Sequence, residues 1–383
     1  MMSRRYAPWF RRALGRATCI VLPAVSFLEI AACAASNESE RPNADDRSII
    51  PAADAGAEAS ADAAAEGAIA DVCDVGSSLC STPTPLTVGT VVAIAGRSKD
   101  DVWASGTGGF LMHWDGVKWT ELESESEETL TSIFLTADET WGIAGRHVTR
   151  RGLDPDSIQT VAALPVAEGR SLSGIAVLPD GDVYLSIAPT AATTGTPKAV
   201  GKLTFDTAKL DYLPAPSFPW SDEGQSVAFR AAVLVPDKAL WVVGDRSVVA
   251  RYPVVFPEVG GVPILGQGRL FPIASQASLR AAWATGEHLW AVGNHGTVLH
   301  FDGTEWHAEE TGTDVTLNAV FGLSPLDIWA AGDDGVVLHF DGNGWSPVAV
   351  GAYSGNLQAI WGSGPDDVWL GGEAGMFHWG ALP

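Results

Sequence analysis

The sequence predicts an all-β protein, a β-propeller of seven blades with four antiparallel strands each, closed by an N-terminal strand. Three observations carry the prediction. A unit of about 40 residues recurs through the C-terminal part of the chain. Each unit breaks into short β-branched and aromatic runs separated by Gly-rich turns. One aromatic residue recurs at the same place in every unit.

The clearest unit runs from Thr316 to Val348, T-L-N-A-V-F-G-L-S-P-L-D-I-W-A-A-G-D-D-G-V-V-L-H-F-D-G-N-G-W-S-P-V. Close copies span Ser278 to Glu309, Asn356 to Trp379 and Val91 to Trp119. Weaker copies begin at Leu130, Leu172 and Val227. Aligning them superposes Trp103, Trp141, Tyr184, Trp241, Trp290, Trp329 and Trp369, at spacings of 38, 43, 57, 49, 39 and 40 residues. A fixed period near 40 built of short strands marks a propeller blade. Seven aromatics give seven blades; six or eight are the alternatives.

Within the unit, L-N-A-V-F-G reads as the innermost strand, where small residues suit the crowding. D-I-W-A-A-G is the second strand, V-V-L-H-F the third and W-S-P-V the fourth. Asp-Gly at 115–116, 302–303 and 341–342 marks hairpin turns, because Gly takes φ > 0 at little cost. The last unit ends in H-W-G-A-L-P without a fourth strand. The stretch P-L-T-V-G at 85–89 is expected to supply it, pairing with residues 376–380 and covering the open edge. Insertions at 187–199 and 252–272 widen two blades; such loops either carry binding or reflect drift in length.

The N-terminal segment has another character. Arg4, Arg5, Arg11, Arg12 and Arg16 precede an apolar run from Ala17 to Ala32 that ends I-A-A-C. Basic, apolar and small-residue regions in that order read as an export signal over residues 1–32. The run is too short and interrupted for a transmembrane helix. Residues 33–84, rich in Ala, Asp, Glu and Ser, bury too little apolar surface to offset chain entropy and are expected to form a flexible tether. The propeller then occupies 85–383. Cleavage before Cys33 leaves 18 basic and 45 acidic residues, a net charge of −27, which disfavours nucleic acid and anionic membrane surfaces. Of the four cysteines, Cys73 and Cys80 remain as a local pair, expected as a disulfide outside the cell.

The motif H-[FW]-D-G-x-x-W is the first candidate for chemistry. His113, His300, His339 and His378 share one repeat position, and Asp115, Asp302 and Asp341 follow in the first three. Equivalent positions of different blades are carried apart around a ring, so they cannot converge on one metal or triad. They are expected to tie strand to turn, with the tryptophans filling space between blades. Asp180-Gly-Asp182, Asp333-Asp334 and Asp366-Asp367 offer oxygen donors suited to Ca²⁺, but none has the spacing of an EF-hand loop. No cofactor is expected.

These units resemble β-propeller repeats of the neuraminidase-like and YVTN-like (quinoprotein-like) kind found in bacterial surface lipoproteins. I-A-V-L-P-D-G-D-V-Y at 175–184 is similar to the YVTN pattern, and I-A-A-C to a lipoprotein signal with Cys33 lipidated. Glu29 inside the apolar run and Ile30 in place of Leu depart from the latter. The D-G-x-x-W turns are similar to the Asp-box of sialidases but differ in spacing, so that likeness reaches the fold and not the activity. A sialidase-type hydrolase would need an Arg cluster, a Tyr nucleophile with an acidic partner and a general acid. Arginines are present, at Arg146, Arg150, Arg151, Arg230, Arg246, Arg251 and Arg280, yet among Tyr184, Tyr212, Tyr252 and Tyr353 no spacing singles out a catalytic set.

The position expected to carry function is the variable residue of L-x-A-[VI], read as facing the central channel or its mouth. Around the ring it is Val92, Thr131, Ser173, Arg230, Arg280, Asn318 and Gln358. The polar six, with arginines on adjacent blades, suit a sugar, a carboxylate or an acidic side chain; a water-filled channel without ligand is the plain alternative. The expectation is an exported, lipid-anchored, monomeric binding scaffold at the cell envelope for a protein, peptide or glycan. A glycan-processing hydrolase or lyase and an assembly factor for an envelope complex are the alternatives.

Overall fold

The computed structural model describes residues 79–380, apart from 87–88, 123, 125, 153–157, 162, 165, 167–169, 190–199, 214–227, 236–237, 257–262, 272 and 374. The expected signal, Cys33, most of the tether, Cys73 and most of the first insertion therefore lie outside the described residues.

The described residues form seven antiparallel sheets, and each matches one sequence unit. Blade 1 contains Val91–Ser98, Asp101–Gly106, Leu111–Trp114 and Trp119–Leu122. Blade 2 contains Leu130–Leu135, Thr140–Ala144, His147–Arg151 and Ile158–Val161. Blade 3 contains Arg170–Val177, Val183–Pro189, Val200–Thr204 and Lys209–Tyr212. Blade 4 contains Phe229–Val235, Ala239–Gly244 and Val249–Val255; Arg269–Phe271 and Ile264–Leu265 share its outer edge. Blade 5 contains Leu279–Thr285, His288–Gly293, Val298–Phe301 and Trp306–Glu309. Blade 6 contains Leu317–Ser324, Asp327–Gly332, Val337–Phe340 and Trp345–Pro347. Blade 7 contains Leu357–Gly364, Asp367–Gly372 and Gly375–Trp379. The first strand of each blade packs beside that of the next, and blade 7 returns to blade 1.

The ring closes by strand exchange, but residues 85–89 do not supply the strand. Leu79–Thr82 does, pairing Leu79 with Trp379 and Thr82 with Met376. L-C-S-T has weaker β-propensity than P-L-T-V-G, yet Leu79 is buried at 1 % exposure and its pairing covers the open edge of blade 7. Thr90, just beyond the predicted stretch, forms an isolated β-bridge to Glu373 and no extended pairing with that edge. Cys80 lies on this strand and is disulfide-bonded.

The aligned aromatics hold the blades together. All seven are buried. Trp369 of blade 7 meets Trp114 and Trp119 of blade 1, each with ring centroids 5.2 Å apart. Trp290 meets Phe340 and Trp345 of blade 6, and Trp329 meets Trp379 of blade 7. The aromatic of one second strand thus fills the gap to the outer strands of the next blade, where such rings bury large apolar area. The second insertion acts similarly. Leu265 packs among blades 3 and 4 and donates its N–H to Tyr184 Oη at 3.4 Å.

The Asp-Gly turns divide their labour. Gly116, Gly303 and Gly342 take φ of 91°, 99° and 89°. The aspartates contribute through their side chains: Asp115 Oδ1 accepts from the amides of Val117 and Lys118, both at 2.9 Å. Asp302 and Asp341 do the same for their own turns. These bonds favour the charged form and lower the pKa of all three, the Thr304 hydroxyl leading at Asp302 and backbone amides at Asp115 and Asp341.

Candidate functional site at the channel mouth

The variable position has a structural cause. In every blade the first two strands slip register at it: the breaks fall at Val92, Thr131, Ser173, Arg230, Arg280, Asn318 and Gln358. Each is a β-bulge, an extra residue freed from the pairing ladder and re-aimed. A ring of seven bulges therefore sits at one end of the ring, where the inner strands begin and the second strands end.

A repeated glycine brings those ends together. Gly106, Gly244, Gly293, Gly332 and Gly372 close the second strands of blades 1, 4, 5, 6 and 7. A Cβ on any of them would come within 1.9–2.1 Å of the carbonyl just before the inner strand. The backbone here is extended (φ −157° at Gly332), so close approach and not left-handed geometry demands glycine. The next residue donates its amide to that same carbonyl: Thr107 to Thr90, Asp245 to Ala228, Asn294 to Ser278, Asp333 to Thr316 and Glu373 to Asn356, at 2.9–3.1 Å.

This clasp places a second variable ring beside the first: Thr107, Asp245, Asn294, Asp333 and Glu373. Sequence reasoning missed it, although the residue after W-x-x-G changes from unit to unit and signalled it. In blades 4, 5 and 6 the two rings bond directly. Arg230 Nε donates to Asp245 Oδ1 at 2.5 Å and Nη2 to Oδ2 at 3.3 Å. Arg280 Nε donates to Asn294 Oδ1 at 2.8 Å. Asn318 Nδ2 donates to Asp333 Oδ1 at 2.7 Å and to Leu357 O of blade 7 at 3.1 Å. Burial and then the like charge of Arg230 pull the Arg280 pKa down, while Asp333 and Asp245 oppose this. An arginine remains charged under any such shift.

Three of the six predicted polar residues thus form one cluster across adjacent blades. Thr131 and Ser173 do not join it. Thr131 Oγ1 donates to Ile143 O and Ser173 Oγ bonds Ser186 Oγ, each inside its own blade. Ser173, Asn318 and Gln358 are nearly fully buried, as is Val92. Solvent reaches the ring at the half-buried Thr131, Arg230 and Arg280. This ring of bulges is narrower in chemistry than the sequence suggested, with its cationic side chains on blades 4 and 5. Beside Asn294, a recess of about 400 Å³ opens between loops of blade 5, lined by His295, Glu309, Thr311 and Thr313 among others.

The histidines of H-[FW]-D-G have other partners than expected. His113, His339 and His378 do not meet the turn aspartates. Nε2 of each faces a carboxylate on the second strand: Asp101 at 2.9 Å, Asp327 at 2.8 Å and Asp367 at 2.7 Å. These acids stand two residues before the aligned tryptophans, against which the same imidazoles lie with ring centroids 4.4–4.5 Å apart. In blades 2 and 3 the device becomes Glu139 with Arg150 and Asp182 with Lys202. In blade 4 Ala239 takes the acid's place, and Arg251 lies over Trp241 with Nη2 4.0 Å from Glu287 of blade 5. In blade 5 the acid is replaced by His288, whose Nδ1 sits 3.0 Å from His300 Nε2.

Asp182 and Asp367 are used in these pairs and Asp333 accepts from Asn318, so one member of each acidic turn weighed for Ca²⁺ is engaged. Among the described residues, Asp302, Glu305 and His307 bring three metal-type ligand atoms within 4.8 Å of one another on an exposed turn. Asp302 Oδ1 is already taken by that turn's amides. Among the described residues the requirements of a sialidase do not gather either. Tyr184 and Tyr252 are buried, and the Tyr353 hydroxyl donates to Glu373 O at 2.7 Å. Arg146 is spent on the carbonyls of Leu164 and Val166, and Arg150 on Glu139.

No protein-family model matches the chain, and no curated protein does. Solved structures do. YCF48 bound to D1 peptide superposes with a TM-score of 0.58 at 17% identity, over 79% of this chain and 94% of that one. YCF48 from Cyanidioschyzon merolae gives 0.61 at 14%, over 79% and 98%. The WD40 β-propeller domain of Doa1 gives 0.56 at 12%, over 78% and 94%. At such identity the likeness is one of fold, and it agrees with the seven sheets: this chain is a seven-bladed β-propeller.

Proposed function

We propose that the protein is a non-catalytic binding scaffold whose channel mouth, over blades 4 to 6, takes a carboxylate-bearing segment of a partner protein or peptide. One observation carries this reading: Arg230 and Arg280 stand on the bulges of adjacent blades, each oriented by a fixed acceptor, Asp245 or Asn294. An oriented guanidinium offers paired N–H donors that match a carboxylate. In a chain of net charge −23, Arg280, held by a neutral amide, supplies the local cation, and Arg230, paired with Asp245, stands beside it, so acidic segments are selected by position. That a propeller of similar fold, YCF48, has been seen bound to a D1 peptide supports peptide binding at this fold. An exported protein, lipid-anchored at Cys33 and held off the membrane by residues 33–78, is part of the same proposal; the layout of its first 33 residues supports it.

The test uses an immobilised library of short peptides with and without Asp and Glu. Acidic peptides are expected to be retained by the wild-type chain and lost on Arg230→Ala with Arg280→Ala. Equal retention by that double variant, shown by its melting curve to be folded, overturns the proposal. Turnover of a glycan by the wild-type protein overturns the non-catalytic part.

A further inference from the structure

We propose that blade 5 is an acid-sensitive element: the His288–His300 pair, standing where other blades carry an acid with a base, loosens this blade before the rest of the ring. The observation is a break in a repeated device. Blades 1, 6 and 7 set a carboxylate against the third-strand histidine, and blades 2 and 3 set one against Arg or Lys. Each of those pairs sets a carboxylate acceptor against a nitrogen donor. In blade 5 two imidazole nitrogens meet at 3.0 Å, and one proton between them satisfies both. Protonation of both rings sets two N–H donors and two like charges against each other.

The surroundings deepen the conflict. His300 is stacked flat on Trp290 at 3.7 Å, and its side chain is 14% exposed. From the second strand it faces His288. From the outer strand it faces His307, ring centroids 6.2 Å away, and Glu309, whose Oε1 lies 3.5 Å from Nδ1. Asp302 sits in the adjoining turn with Glu305, and its Oδ2 lies 3.2 Å from His307 Nε2. Glu287 is turned to Lys238 and Arg251 of blade 4. Phe340 and Trp345 of blade 6 cover the Trp290 ring. Burial first, and then His288 and His307, hold His300 down at about 4, with Asp302 opposing.

The sign follows from linkage. The unfolded chain takes up a proton near 6.5, whereas folded His300 resists until about 4, so its contribution falls as pH drops through that interval. The acid–base pairs act elsewhere. Asp101 is held at about 2, so its contribution is lost only below the usual carboxylate range near 3.8. Blade 5 therefore yields between pH 6.5 and 4, while the Asp101 pair of blade 1 is still intact. Its inner two strands also carry Arg280 and Asn294 at their other end. If the mouth binds as proposed above, acid then weakens that binding from the blade 5 side; this consequence rests on that reading, and the loosening itself does not.

Hydrogen exchange on the full chain at pH 7.5 and 5, corrected for intrinsic rates, tests the loosening. Amides of residues 279–309 are expected to lose about tenfold in protection relative to residues 317–347, the effect of roughly one pKa unit. His288→Asp restores the sister pair and is expected to abolish the difference. Equal behaviour of the two segments in the wild type overturns the proposal, as does a pH response unchanged by His288→Asp. Should that variant not fold, an NMR titration of wild-type His300 decides: a midpoint near 4 to 5 supports the proposal, and one at 6.5 or above overturns it. Retention of acidic peptides at pH 5 is a separate readout, and its failure with loosening intact counts against the mouth alone.

Discussion

Asn318 reaches Asp333 across its own blade and the Leu357 carbonyl of the next with a single amide nitrogen, at 2.7 and 3.1 Å. Both partners are acceptors, so the orientation of the amide is fixed. The residue that varies most quietly among the units therefore couples blades 6 and 7. Asn318→Ala is expected to cost about 1–3 kcal/mol, because it leaves Leu357 O without this donor and frees Asp333. Asn318→Asp is expected to cost more, since it brings a carboxylate against Asp333. Urea unfolding midpoints check both.

Gly332 faces Thr316 O so closely that an added Cβ would lie 2.1 Å away. Gly→Ala at an unstrained site stabilises by about 0.4–1 kcal/mol through the unfolded chain. The sign is expected to reverse here, because neither backbone can retreat without breaking the Asp333 N–H to Thr316 O bond. A lowered melting temperature for Gly332→Ala, with a smaller change for Gly344→Ala at an open turn, is the expected result.

Burial alone would raise Asp101, but the bonds from His113 and Arg97 outweigh it and bring the group to about 2. A depressed carboxylate stabilises the fold above its unfolded pKa and loses that contribution as pH falls toward the folded value. Asp101→Asn is expected to flatten the fall in stability between about pH 4 and 2, and to lower stability at pH 7. Melting temperatures of both proteins across that range give the comparison.

Leu79 is buried on the strand that closes blade 7. Leu79→Ala is expected to cost about 2–5 kcal/mol, as for other buried leucines. Removing residues 79–82 is expected to expose the edge of Gly375–Trp379 and produce association visible by size-exclusion chromatography.

The blades were legible because their chemistry repeats. Trp103 and its counterparts, the turn glycines and the alternation of each strand recur in copies, and the copies support one another. The closing strand was not, because Leu79–Thr82 is ordinary by propensity and gains its place from an edge nearly 300 residues away. The histidine pairs were misassigned for a related reason. Asp115 is two residues from His113 in sequence, but Asp101 is its neighbour across the sheet. Variation marked Arg230, Arg280 and Asn318 as one set, and the structure places all three at register breaks of adjacent blades. It could not show the bulges themselves, nor the clasp that sets Asp245, Asn294 and Asp333 beside them.

The exchange of Leu79–Thr82 into the last blade also fixes an order of events during biosynthesis. The first described strand to leave the ribosome has no partner until the last described strand, Gly375–Trp379, has followed. At about 5–20 residues per second, that interval lasts on the order of tens of seconds. Six blades can stack in sequence while the strand waits, and Leu79 then joins as the final latch. A ribosome stalled before Trp379 would hold an open arc, whose free edges make it a substrate for chaperones and for swapped dimers.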